Sequence, residues 1–177
     1  MQTKVHTRLF IVAVAALALA GCTSSPTPTS TPTDVPTSSA STPATGTGIE
    51  VSTTMGKKPE ITIAAGVGNV DNLVVQDIVA GSGAAVQSTD NVTVNYVGIG
   101  ALSRQQFDAS WDAGATASFP LNGVILGWQQ GLVGMKVGGR RLLIIPGALA
   151  YGPNPPAGSG IQANETLIFV VDLVSIP

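Results

Sequence analysis

Apolar and polar residues alternate with a period of two in several short stretches of the second half of this chain. Residues 60–64 put Ile61 and Ile63 on one side. Residues 73–80 form a second candidate strand, closed by Gly81-Ser82-Gly83. In residues 92–96, Val92, Val94 and Tyr96 share a face, with Thr93 and Asn95 opposite. Residues 104–110 read as a weaker strand carrying Phe107. Residues 140–145 and 166–174 are β-prone and apolar on both faces, the pattern of strands inside a sheet. A helical period arises once. Val124, Ile125, Trp128 and Leu132 fall on one stripe, with Asn122 as the expected N-cap and Gly134 as a left-handed C-cap. Gly127 and Gly131 inside this helix cost about 1 kcal/mol each relative to Ala. The helix backbone is therefore expected to lie close against the sheet or a ligand. One short helix among about six strands predicts an α+β fold, with the helix laid on one face of an antiparallel sheet.

The first half follows a different pattern. Lys4 and Arg8 precede an apolar stretch over residues 9–20, too short for a membrane span of roughly 20 residues. Residues 1–21 read as a lipoprotein signal peptide ending at Leu19-Ala20-Gly21-Cys22. That quartet resembles a bacterial lipobox, which makes Cys22 the expected lipidation site and the first residue of the mature protein. Two acyl chains there would anchor it stably. Residues 22–48 are then a tether of Thr, Ser and Pro, with too few apolar residues to offset the entropy of ordering. Extended as polyproline II, it would span about 80 Å. Residues 49–72 are expected to add one or two edge strands to the domain over 73–177. The expected location is the bacterial cell envelope, lipid-anchored, with the domain on the extracytoplasmic side.

Composition then narrows the chemistry. The chain of 177 residues has one Cys and one His. With the leader removed, His6 is lost and Cys22 is terminal. A Ser-His-Asp triad, a Cys-His pair, a histidine metal site and an internal disulfide are all excluded. The remaining cations are Lys57, Lys58, Arg104, Lys136, Arg140 and Arg141. They form no basic block, which argues against nucleic acid as a partner. About 125 residues remain after leader and linker, enough for one core.

Within that domain, V-T-V-N-Y-V-G (92–98), F-D-A-S (107–110), F-P-L-N-G-V-I-L-G-W-Q-Q-G-L (119–132), V-G-G-R-R-L-L-I-I-P (137–146), A-L-A-Y-G (148–152) and T-L-I-F-V-V-D-L (166–173) follow in order. From about Leu73 to Val174 the chain resembles the FKBP-type peptidyl-prolyl cis/trans isomerases. The resemblance implies a twisted antiparallel sheet of about five to six strands curved around one short helix. It also implies an aromatic pocket between helix and sheet. It assigns Tyr96, Phe107, Asp108, Trp128, Tyr151 and Phe169 to catalysis, with Trp128 as floor. Val124, Ile125 and Ile161 are assigned to substrate binding. Ala113 stands where the family often has Arg, Ala117 where it has an aromatic wall residue, and Gln162-Ala163 where it has a proline-containing pair. These departures open one side of the pocket.

The implied reaction is isomerisation of X-Pro bonds, which requires no metal or cofactor. The implied partners are proline-containing exported polypeptides and, as inhibitors, macrolides of the tacrolimus and rapamycin type. The chain is expected to act as a monomer that meets the membrane only through its lipid. A proline-peptide binding module with weak turnover, or a generic solute-capturing lipoprotein, are the competing readings.

Overall fold

The computed structural model describes residues 41–43 and 46–177, with side chains from residue 46 onward. The expected leader over 1–21, the expected lipidation site Cys22 and most of the expected tether lie outside those residues.

Two sheets are present among the described residues. The larger contains six strands: β4 (Val74–Val79), β5 (Asn91–Gly100), β6 (Gln106–Ala109), β7 (Ala117–Pro120), β8 (Arg140–Ile145) and β9 (Leu167–Ser175). Their order is β4-β8-β9-β5-β6, and every pairing is antiparallel. β7 pairs with the first half of β5 (Asn91 to Val94), while β6 pairs with its second half. The two strands read as apolar on both faces, β8 and β9, lie at the centre of this order, where both faces are covered. β7 was not foreseen, because a four-residue strand ending in Pro gives too short an alternation to register.

The helix is shorter than its stripe suggested. α1 covers only Leu126–Gly131. Ile125 is its N-cap, with no side-chain capping bond, and Asn122 lies instead in a 3₁₀ turn, Leu121–Gly123. The expected Asn122 cap is thus corrected. Gln129 Nε2 donates to the Val124 carbonyl at 2.8 Å and so holds the loop before the helix, without capping any helical N–H. Gly134 does adopt a positive φ of 77°, but its N–H donates to the Val86 carbonyl at 2.9 Å, so it joins the next loop to the core.

Residues 49–72 supply two strands, but these belong to a second sheet and not to an edge of the main one. β1 (Ser41–Pro43), β2 (Ile49–Ser52) and β3 (Ile61–Ile63) form a separate antiparallel sheet in the order β1-β2-β3. The expected tether therefore joins the fold at Ser41–Pro43, before its boundary at residue 48. Alternation along β8 and β9 explains why a second layer is needed. Leu143, Ile145, Phe169, Val171 and Leu173 pack with Trp128, Leu132 and Tyr96 on one face. Leu142, Ile144, Ile168 and Val170 point the other way and pack with Ile49 and Val51 of β2. Leaving those apolar side chains in water would forfeit about 1.5–3 kcal/mol each.

Arg140 sews the layers together. It is fully buried, and its Nε and Nη2 bond the two Asp172 carboxylate oxygens at 2.6 and 2.7 Å. Nη1 and Nη2 also donate to the Ser52 and Lys57 carbonyls at 2.7 and 2.9 Å. Arg141, next along β8, points to the opposite face. It pairs with Asp77 and donates from Nη1 to the Gly131 carbonyl at 2.8 Å, at the end of α1.

Candidate active site

α1 lies against β8 because its glycines let it. A Cβ on Gly127 would collide with the Ile145 side chain, and one on Gly131 would come within 2.7 Å of Leu143 Cδ2. This close approach lowers Trp128 into the space above β9 and β5. Three rings stand nearly perpendicular to the indole: Phe169 at 5.3 Å between centroids, Tyr96 at 5.5 Å and Phe119 at 5.9 Å. Such edge-to-face pairs match the negative ring face to a positive ring edge. Phe107 meets Phe169 in the same way at 5.5 Å. Gly98 of β5 makes room for both, since a Cβ there would lie 2.6 Å from Phe107 and 2.9 Å from Phe169.

These rings border a cavity of about 320 Å³ lined by Tyr96, Phe107, Asp108, Phe119, Gly123, Val124, Ile125, Trp128, Tyr151 and Phe169. Trp128 is only 4% exposed, so it forms the buried base of the hollow. Eight of the residues expected at the site thus come together around one cavity. Ile161 does not line it. It is half-buried against the aromatic core cluster, in a loop tied down by the Gln162 N–H on Glu165 Oε2 at 2.7 Å. Burial pushes the Glu165 carboxyl up, but the backbone N–H groups of Gln162, Ser103 and Leu102 outweigh this and hold it below the ordinary glutamate range. Phe119 and Gly123 were missed. The signal for Phe119 was its two-residue spacing from Ala117 on one face of the short β7.

Phe107 and Asp108 are consecutive in β6 and should face opposite ways. They both line the cavity because β6 carries an extra residue: Asp108 pairs with Gly98 and Gln106 with Ile99, leaving Phe107 unmatched. A bulge of this kind re-aims a side chain. The segment is pinned from both ends. Ser110 Oγ accepts the Tyr96 N–H at 2.9 Å, and Asp112 accepts from Gln106 Nε2 and Lys58 Nζ, both at 2.6 Å. Lys58, and after it Gln106, hold the Asp112 carboxyl below the usual carboxylate range.

The Tyr96 hydroxyl donates to Asp108 Oδ2 at 2.5 Å. Burial first, then this bond and the Asp108 charge, push the phenol well above its ordinary value. Tyr96 is therefore a neutral donor at physiological pH. Among the described residues no group of three or more His, Cys, Asp or Glu is placed to hold a metal. What the arrangement offers is a hollow walled mostly by aromatic and aliphatic side chains, with one hydrogen-bonded carboxylate at its rim.

The known proteins this chain is similar to point the same way. The family described as FKBP-type peptidyl-prolyl cis-trans isomerase matches residues 83–174. A probable FK506-binding protein of Corynebacterium glutamicum is 48% identical over 120 residues, covering 67% of this chain and 98% of that protein. An FK506-binding protein of Streptomyces anulatus is 47% identical over 122 residues, 68% and 98% of the two chains. Among solved structures, FkpA from Escherichia coli superposes with a TM-score of 0.55 at 42% identity, covering 64% of this chain and 52% of that one.

Proposed function

Since the chain belongs to the FKBP-type peptidyl-prolyl cis-trans isomerases, we propose that its isomerase activity resides in the Trp128 cavity and works by desolvation. The observation that carries this reading is the hollow itself: about 320 Å³, walled by aromatic rings, with an indole at its base. Rotation about an X-Pro bond faces a barrier of about 18–20 kcal/mol that comes from amide resonance. The planar amide is more polar than the twisted one. Moving it from water into a dry pocket therefore raises the planar form relative to the twisted transition state. A gain of about 7 kcal/mol would accelerate the exchange roughly 10⁵-fold. No bond is made or broken, so no nucleophile is needed.

In this reading the proline ring rests on Trp128, between Tyr96, Phe107 and Phe169. Val124 and Ile125 close the side facing α1. The Ile125 N–H and the Tyr151 hydroxyl hold the carbonyls flanking the rotating bond. Asp108 orients the Tyr96 hydroxyl and takes no proton from substrate. The test is the cis–trans exchange rate of a Leu-Pro tetrapeptide, followed without a coupling protease. Faster exchange with the protein is expected. Spontaneous kinetics in its presence would sink the assignment.

We further propose that the protein acts in the cell envelope on proline-containing exported polypeptides, as a monomer anchored through acylated Cys22. The cavity also suits macrolide inhibitors of the tacrolimus and rapamycin type. The support for export and anchoring is the leader and its Leu19-Ala20-Gly21-Cys22 end. Radiolabelled palmitate is expected to enter the wild-type protein and to be absent from Cys22→Ser, which should leave the membrane fraction.

A further inference from the structure

Asp108 is the one acidic side chain lining the cavity, the other nine lining residues being apolar, glycine or tyrosine. It is exposed, and its Oδ2 is occupied by the Tyr96 hydroxyl. No ion pair reaches it among the described residues, whose ion pairs all lie elsewhere. Lys58 is held by Asp112 at 2.6 Å, Arg140 by Asp172 and Arg141 by Asp77. The Arg104 guanidinium is turned to the Ala65 and Val67 carbonyls. Lys57 and Lys136 do not line the cavity. An uncompensated carboxylate thus stands at the mouth of an otherwise apolar hollow.

From this we propose that Asp108 sets substrate preference by charge, favouring Lys or Arg immediately before the proline over Glu or Asp. The inference rests on the Trp128 cavity being where the prolyl bond turns. With the proline ring at the base, the preceding residue must lie at the mouth. The Asp108 carboxylate is one hydrogen bond beyond the Tyr96 hydroxyl, whose ring centre is 5.5 Å from the indole. A flexible lysine stem can cross that span while keeping its head in water. An exposed pair of this kind changes the selection between substrates by about two- to fivefold, and like charges act in the opposite sense.

The experiment compares kcat/KM of the full-length protein on tetrapeptides with Leu, Lys or Glu before the proline, at low and high ionic strength. At low salt the Lys peptide is expected to outrun the Glu peptide about fivefold, a gap that closes as screening rises. In Asp108→Asn the Lys-to-Glu ratio should fall to about one, whatever happens to the overall rate. Equal wild-type rates for Lys and Glu peptides at low salt would overturn the proposal, as would a ratio insensitive to salt. If Asp108→Asn is too slow to measure, the wild-type salt series decides. Failure of the cavity assignment has a separate signature, which is unchanged turnover of the Leu peptide when Trp128 is replaced.

Discussion

Trp128 combines two properties, one bearing on activity and one on stability. Its ring is the base of the cavity, and its buried Nε1–H finds no acceptor among the described residues. An unmet buried donor costs about 1–3 kcal/mol. Trp128→Leu is therefore expected to lose only about 1–3 kcal/mol of stability, less than a large-to-small core change usually costs, because it also removes that donor. Turnover of the Leu-Pro peptide should fall about tenfold or more, equivalent to at least ~1.4 kcal/mol of transition-state stabilisation. A urea melt and the exchange assay on the same preparation separate the two effects. Most of the cavity's lining was legible only through the motifs shared with the family. The shared orientation of Phe107 and Asp108 was not, since strict alternation puts them on opposite faces and only the bulge against β5 brings them together. Phe119 escaped for a related reason: its strand exists because β5 is long enough to pair with two short strands on one edge.

At the level of elements, β8 carries most of the organisation. Its six buried residues alternate between the aromatic core and the back layer, and its two arginines follow the same alternation. Arg140 goes back to Asp172 and the β2 end, and Arg141 goes forward to Asp77 and the end of α1. From sequence, Arg140 and Arg141 entered only as two of the six cations beyond the leader. Nothing local distinguishes a buried arginine from an exposed one, because its partners lie 32 and 88 residues away. Removing one member of a buried pair strands the other charge. Arg140→Met is thus expected to destabilise the domain by about 3–5 kcal/mol, and the double variant with Asp172→Leu to recover a substantial part of that loss. Equilibrium urea unfolding of the four proteins in that cycle checks this. The glycines of α1 were read correctly as marks of close approach. Which surface they approach, the side chains of Ile145 and Leu143, emerged only from the packing.

For the whole molecule, the back layer matters most. The family match begins at residue 83 and the sequence resemblance at about Leu73, yet β2 and β3 precede both. Their Ile49 and Val51 are 1% and 0% exposed against Leu142, Ile144, Ile168 and Val170. A chain begun at residue 46 is expected to melt cooperatively near the midpoint of the full-length protein. One begun at residue 73 should bind a hydrophobic dye and lose most of its cooperative transition, since it bares that apolar face and the Arg140 end of β8. Thermal melts followed by circular dichroism, with dye fluorescence alongside, compare the two.

Most strand positions of the main sheet, the single helix and the α+β class could be read along the chain, and most cavity residues through the motifs it shares with the family. They depend on side-chain periodicity, backbone propensity and motif order, which act over a few neighbours. The second sheet, the bulge under Phe107, the packing of Ile161 against the core and the ion pairs of Lys58, Arg140 and Arg141 could not. Each of these is settled by which surfaces remain uncovered after the main sheet closes, and by partners brought together from distant points of the chain.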